Sequence, residues 1–258
     1  MNEVNKTQTS IEDFLVIRKI EACNIIQWLQ YGISDLLQAK MASLFYGLFF
    51  ASAGVAMHMV LFEASWLLSS LTTGFLLLGP FLAMGLYDLS RRIEQSQKPT
   101  LIPSLFSWRS NLMNVAIFAG VLIVILLIWA RASLVIFALF FHGGLPTFLE
   151  IVQVVFAFTQ PNFAIAYFAV GGFFAVFVYA VSVIAIPLMS DRNTDAVTAA
   201  IASLIAVKRN FIPMLLWAIT IVTLVAIGFA THFIGLIITM PIVGHASWHV
   251  YRDLVEPI

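Results

Sequence analysis

The sequence predicts an all-α fold: a polytopic membrane helix bundle of six transmembrane helices with additional amphipathic helices on the inner face. The chain has 258 residues, of which 61% are hydrophobic and only 10% are charged, and its mean hydropathy is +0.99. Soluble domains are about 45–50% apolar and about 25% charged. The composition therefore excludes a soluble enzyme and a nucleic-acid-binding protein, and it indicates a single integral membrane domain over residues 1–258.

Stretches without Asp, Glu, Lys or Arg mark the candidate spans, because a crossing needs about 20 apolar residues. The two longest stretches, 151–190 and 210–251, contain 40 and 42 residues. The first is interrupted at Gln160-Pro161-Asn162, and the second is long enough for two crossings with a turn between Gly228 and Gly235. The predicted spans cover about 41–62, 65–87, 111–130, 163–189, 211–230 and 233–251.

Basic residues predict the orientation of these spans, because cytoplasmic loops carry an excess of Lys and Arg. With six spans and both termini inside, Arg131 is the one basic residue of 13 on the outer side. Making 132–149 a seventh span would place five of them outside. We therefore expect a multi-pass protein of the cytoplasmic (inner) membrane, with both termini cytoplasmic and residues 1–40 as a cytoplasmic N-terminal segment.

Residues 131–162 are then left on the outer side. They contain the apolar stretch 132–149 and the run His142-Gly143-Gly144-Leu145-Pro146. We expect an outer re-entrant or interfacial segment, or an extended end of the third span, because irregular backbone at membrane depth must be buried in protein or line a wet cavity.

A short motif, Ser-Leu-x-x-x-basic-x-Asn, occurs before two pairs of spans. It begins at Ser104 and again at Ser203, and a degraded form begins at Asp35. We interpret each copy as part of an amphipathic helix on the inner face, whose cationic end lies near anionic lipid. Asp195 is expected to contribute to the N-cap of the third of these helices. The chain is thus interpreted as three repeats of amphipathic helix, span and span.

Two histidines are the candidate cofactor ligands. His245 and His249 lie four residues apart near the inner end of the sixth predicted span, so both rings fall on one helix face. Neutral imidazoles at this spacing are typical ligands of haem iron or another metal. The favoured interpretation is an interfacial cap that bonds headgroups and the surface helices, because no carboxylate or third ligand is visible nearby. We therefore predict no metal site and no cofactor.

Other candidate sites are weaker still. Met57-His58-Met59 offers soft copper ligands, but adjacent helical residues point about 100° apart. Cys23 is the single cysteine, which excludes an internal disulfide. Gly47 with Ala51, and Gly171 with Ala175, are small-residue pairs that predict close helix packing. No nucleophile–histidine–acid set stands out, so no catalytic residue is predicted and an enzyme is not favoured.

Four segments resemble an uncharacterised family of bacterial integral membrane proteins, a domain of unknown function. They are Trp28-Leu29-x-x-Gly32-x-x-Asp35-Leu36, 187–192, 208–217 and 244–252. Some members of this family carry a label similar to cytochrome c oxidase subunit I, which the placement of the histidines does not support here. The repeated unit is also distantly similar to the membrane domain of glycerophosphodiester phosphodiesterases. The resemblance implies a polytopic inner-membrane protein, without an established activity or site.

We therefore expect a non-catalytic accessory protein or scaffold of an envelope or membrane complex. Its expected partners are membrane lipid and a membrane-complex partner, and no nucleic acid. A transporter or flippase of an apolar or amphiphilic substrate is the alternative, since repeats and kinked helices are also typical of transporters. A b-type haem protein that uses His245 or His249 is the third and weakest hypothesis.

Overall fold

The computed structural model describes residues 16–63, 82–141, 153–154 and 159–256. Over these residues the chain is helical apart from turns, short connections and one isolated antiparallel bridge between Ile17 and Val255. The all-α prediction is therefore confirmed.

The helices are numbered here in chain order. They are α1 (Asn24–Gln38), α2 (Lys40–Glu63), α3 (82–94), α4 (Leu101–Leu105), a 3₁₀ turn (Ser107–Asn111), α5 (Leu112–Phe140), α6 (Pro161–Ser182), α7 (Ala185–Arg192), α8 (Ala196–Arg209), α9 (Phe211–Ala230) and α10 (Leu236–Leu254).

Three described segments are long and apolar enough to cross a membrane: Leu101–Phe140, Pro161–Arg192 and Phe211–Ala230. A fourth is obtained if α1 and the first part of α2, which meet at 106°, are counted as one broken span. The chain is therefore an integral membrane protein with several candidate spans, while the predicted number of six is not confirmed. Most of the predicted span 65–87 lies outside the described residues, since 64–81 are not among them.

Helix α10 occupies most of the predicted span 233–251 but is not among these candidates. His245, Ser247, His249 and Arg252 make its second half polar, which lowers its hydropathy. The helix is instead largely enclosed by protein, with buried residues from Leu236 to Leu254, and it packs against α1, α2 and α9. A buried helix with polar side chains needs internal hydrogen-bond partners, and these partners form the candidate site described below.

Close packing of α2 against α10 depends on Gly47. A Cβ atom at this position would lie 2.0 Å from the backbone oxygen of Ile237. Nearby, Ala51 is also buried. The close helix contact predicted from this small-residue pair is therefore confirmed.

Helix α5 continues past Arg131 as far as Phe140. Its last turns pack on the start of α6 through aromatic rings, with Phe137 and Phe163 stacked at 5.8 Å and Tyr167 5.5 Å from Phe137. These contacts explain the helical extension, because they bury apolar area along both helices. The first part of the segment 131–162 is therefore an extended helix end, and residues 142–152 and 155–158 lie outside the described part of the chain.

The repeated motif forms equivalent contacts in its two clear copies. Asn111 is buried and donates hydrogen bonds to the backbone oxygens of Met189 and Thr194, at 3.1 and 2.9 Å. Asn210 is also buried, donates to the oxygen of Arg18 at 2.9 Å and accepts from the N–H of Ile20 at 2.9 Å. Each asparagine therefore binds the backbone of a segment distant in sequence.

The predicted N-cap of α8 is confirmed. The side chain of Asp195 accepts hydrogen bonds from the backbone N–H groups of Val197 and Thr198, at 3.1 and 3.0 Å. Together with the side chain of Thr198, these bonds lower the pKa of Asp195. A carboxylate here satisfies amides that have no partner within the helix and lies favourably at the positive end of the helix dipole.

Candidate functional site: a buried histidine cluster

His245 lies at the centre of a buried polar cluster. Its side chain is fully buried, and both of its ring nitrogens are within hydrogen-bond distance of a serine hydroxyl. Nε2 is 2.8 Å from the Oγ of Ser43 on α2, and Nδ1 is 2.7 Å from the Oγ of Ser90 on α3. The imidazole therefore connects three helices through two hydrogen bonds.

Small residues allow α1 and α3 to approach α10 closely beside this cluster. A Cβ atom at Gly32 of α1 would lie 2.9 Å from the backbone nitrogen of Ala246, and one at Gly244 would lie 2.4 Å from a methyl carbon of Leu86. Because both sites leave no room for a larger side chain, α10 comes close to α1 on one side and to α3 on the other. Together with the approach of α2 at Gly47, this packing places His245 between Ser43 and Ser90.

His249 is bonded one turn further along α10. Its Nε2 lies 2.8 Å from an oxygen of Asp35, a buried carboxylate on α1. The ring of Tyr31 lies against the imidazole, with centroids 5.1 Å apart. The two histidines thus share the α10 backbone but bind different helices, His245 binding α2 and α3 and His249 binding α1.

These contacts bear on the haem and metal hypotheses. A metal ion at His245 would have to displace the hydroxyl of Ser43 or Ser90 from a ring nitrogen. Across the part of the chain that the structure describes, no group of three or more His, Cys, Asp or Glu side chains is arranged to hold a metal. The arrangement is suited to joining helices, but His245 is enclosed by protein, whereas the cap interpretation expected a group that bonds lipid headgroups.

An ion-pair network continues from this cluster at the same end of the helices. We call this region the polar end and define it by Asp35, Asp88, Glu94, Asp191 and Arg252. Asp88 is buried and accepts hydrogen bonds from its two neighbours one turn on, Arg91 at 2.5 Å and Arg92 at 2.6 Å. A buried carboxylate is costly without such partners, so the two arginines compensate its charge.

Arg252 and Glu94 join α10 to α3 at the polar end. The guanidinium of Arg252 donates two hydrogen bonds to one oxygen of Glu94, at 2.8 and 3.0 Å. The other oxygen of Glu94 accepts from the indole N–H of Trp248 at 3.2 Å. Asp191 of α7 accepts from the hydroxyl of Tyr251 at 2.7 Å, so α7 is bound to the same helix.

The weaker copper hypothesis has little geometric support in the described residues. The ring of His58 packs on Phe233 at 5.7 Å, and Met59 is exposed. His142, which belongs to the run 142–146 noted in the sequence, falls outside the described part of the chain.

The sequence predicted that the two histidines lie on one helix, and the structure confirms this, but the sequence did not indicate most of their partners. Asp35 carried a signal, because it occurs in the degraded motif and in the segment that resembles the family. Ser43 and Ser90 carried none, since serine is common at helix contacts in membranes. Their role depends on the packing of distant helices, because Ser43 and Ser90 lie 202 and 155 positions from His245 along the chain.

Comparison with known proteins supports the membrane assignment. Residues 67–191 match the model of a family described as Predicted integral membrane protein (DUF2189). The resemblance to an uncharacterised membrane protein family is confirmed over this part of the chain, whereas the segments 28–36, 208–217 and 244–252 lie outside the match. No curated protein and no solved structure matches the chain. The distant resemblance to the glycerophosphodiester phosphodiesterase membrane domain therefore stays a prediction.

The matched DUF2189 region contains three of the five residues that define the polar end. Asp88, Glu94 and Asp191 lie inside it, as does Ser90, whereas Asp35, Arg252 and the whole of α1, α2 and α10 lie outside. The histidine cluster thus joins the part of the chain that matches the DUF2189 model to helices on both sides of it.

Proposed function

We propose that this integral membrane protein is a non-catalytic accessory or scaffold protein of a larger membrane complex. The observation that carries the proposal is the exposure of its spans. In each of the three candidate spans, only 17% of the most apolar window is buried. These helices therefore turn most of their surface outward, towards lipid or the helices of another protein.

The polar groups support a structural role, because they are used to join helices of this chain. Both nitrogens of His245 and both oxygens of Glu94 have partners on other helices. A general acid or base must instead reach a proton of its substrate. The polar end is thus suited to holding the helices in a fixed arrangement.

Two glycines favour a protein partner on the outward surface. A Cβ atom at Gly120 of α5 or Gly172 of α6 would meet nothing within 4 Å in the described structure. Small residues on a membrane helix allow another helix to approach closely, and helix association in lipid depends on such packing. The α5–α6 pair is therefore the surface on which we place the partner.

Co-purification with a matched pair of variants tests this proposal. The protein would be extracted in mild detergent and its complex measured by native electrophoresis and cross-linking mass spectrometry. Gly172→Phe is expected to release the partner, whereas Val222→Phe, at an exposed position of α9, is expected to retain it. A monodisperse wild-type protein without a partner, or equal retention by both variants, would contradict the scaffold assignment.

The orientation is part of the same proposal. We place the polar end on the cytoplasmic side of the inner membrane, as the distribution of basic residues predicts. Cys23, the single cysteine, is exposed and directly precedes α1. A membrane-impermeant maleimide should therefore label it after cells are permeabilised but not in intact cells. Labelling of intact cells would reverse the orientation.

A transporter or flippase is the second candidate, and one observation favours it. An apolar groove of about 260 Å³ lies between α5 and α6, lined among others by Leu126, Trp129, Gly171 and Phe174. Its lining is suited to an acyl chain. Gly171→Leu would fill the groove, since a Cβ atom there already lies 3.1 Å from Trp129. The flippase would be favoured if the wild type scrambles lipid in proteoliposomes and Gly171→Leu abolishes this activity. It would be rejected if the wild type does not scramble lipid.

A further inference from the structure

A second and larger groove lies where α2 begins. It has a volume of about 520 Å³ and is formed between the first turns of α2 and the segment that leads into α4. Met41, Phe45 and Leu48 form one wall, and Pro99 and Leu101 belong to the other. Met41 is 81% exposed, which is a large apolar surface to leave uncovered at the start of a helix.

Each wall of this groove is preceded by an exposed lysine. Lys40 comes directly before Met41, and Lys98 comes directly before Pro99. Within the described ranges neither lysine forms an ion pair, in contrast to Arg91, Arg92 and Arg252 of the polar end. Two exposed lysines without a described ion-pair partner are thus the sequence neighbours of residues that line the two walls of the groove.

The chain bends sharply directly before Lys40. Helix α1 meets the first part of α2 at 106°, so the chain turns sharply between Gln38 and Lys40. If α2 crosses the bilayer, α1 lies close to the membrane plane, and Lys40 lies at the corner between the two. Lysine at such a position extends its ammonium towards the headgroups while its stem covers apolar surface.

We propose that this groove binds one anionic phospholipid. An acyl chain lies along Met41, Phe45 and Leu48, and the phosphate lies between the ammonium groups of Lys40 and Lys98. Lysine is a compact, flexible cation that binds phosphate as a point charge. The volume is within the range of about 300–1,000 Å³ that is typical of sites for single small molecules. This site is separate from the α5–α6 surface of the scaffold proposal, so either can fail without the other.

The test compares two lipids with identical acyl chains, phosphatidylglycerol and phosphatidylcholine. The delipidated full-length protein would be titrated with each lipid in detergent, and bound lipid would be counted by native mass spectrometry. We expect preferential binding of phosphatidylglycerol. A lysine near an anionic headgroup contributes a roughly fivefold gain in affinity, so K40Q/K98Q should lose about 25-fold in affinity for phosphatidylglycerol and little for phosphatidylcholine.

Two further variants separate this site from general effects. K19Q/K208Q removes the same charge from two exposed lysines that are not sequence neighbours of residues lining the groove, and it should bind both lipids as the wild type does. Leu48→Trp fills the groove at an exposed position and should weaken binding of both lipids. Equal affinity of the wild type for the two lipids, or equal loss in the two double variants, would overturn the proposal. Unchanged lipid binding by Leu48→Trp would contradict the proposed position of the acyl chain along Met41, Phe45 and Leu48.

Discussion

Removal of the Ser43 hydroxyl is the most direct test of the histidine cluster. Ser43 and His245 are both fully buried, and Ser43→Ala leaves Nε2 of the imidazole without its partner. A buried polar group that loses its partner costs about 1–3 kcal/mol. The lost oxygen is small, so the cavity adds little to this cost. We expect the variant to be destabilised by that amount.

The Ser90 hydroxyl provides a second test of the same hydrogen-bonded cluster. Ser90 bonds the other ring nitrogen, so S43A/S90A should cost more than either single change. Replacing His245 by Phe in the double variant removes the polar ring and should recover part of the loss, because an apolar pair of similar shape has no unsatisfied group. This recovery distinguishes hydrogen bonding from packing.

Thermal unfolding in mild detergent measures these differences. Trp28, Trp217 and Trp248 are buried, and their fluorescence reports the loss of the core. In a chain of this size 1 kcal/mol corresponds to roughly 2–4 °C in Tm, so Ser43→Ala should lower Tm by about 2–12 °C. Ser52→Ala, on the same helix but exposed, is the control and should change Tm little. Equal Tm values for Ser43→Ala and Ser52→Ala would refute the proposed role of the cluster.

Three further predictions use the same protein. Gly47→Ala should destabilise the protein by about 1–3 kcal/mol, because the new Cβ would lie 2.0 Å from a backbone oxygen of α10. Gly172→Ala is the control: its Cβ meets nothing within 4 Å, so it should lose no stability in the same unfolding assay. Asp195→Ala should cost about 1 kcal/mol at pH 7. Hydrogen bonds from Thr198 lower the pKa of Asp195, so the carboxylate stabilises the fold fully above about pH 4. This stabilisation is lost as pH falls through the lowered pKa. An equal difference in stability between the wild type and Asp195→Ala at pH 3 and at pH 7 would contradict this. Asn210→Ala should free the segment before α1, which it binds at two backbone positions, and limited trypsin digestion should then cut that segment faster than in the wild type.

Local features of the chain were predictable where the physical cause is local. The range 211–230 was predicted as a span, and α9 covers Phe211–Ala230, because charge-free length is a property of the segment itself. The cap at Asp195 was predictable for the same reason, since the carboxylate bonds amides only two and three residues away. The close approach at Gly47 was anticipated from a small-residue pair, but its partner on α10 was not.

The contacts of α10 were not predictable from the sequence. Its apolar first half fits a membrane crossing by sequence, but the helix is largely enclosed by protein and its polar half is bonded to α1, α2, α3 and α7. Periodicity places His245 and His249 on one face, but it does not show what that face contacts. The contacts depend on how distant helices pack, which a single sequence does not reveal.

The sequence by itself determined that this is an all-α integral membrane protein, because hydropathy and charge are sums over residues that need no tertiary partner. It also determined the N-cap at Asp195, which bonds amides only two and three residues away. Only the tertiary structure decided that His245 joins three helices, that Glu94 and Arg252 bind each other, and that Lys40 and Lys98 precede two walls of one groove. The physical reason is that hydrogen bonds and ion pairs act over a few ångströms in space, between residues that are far apart along the chain.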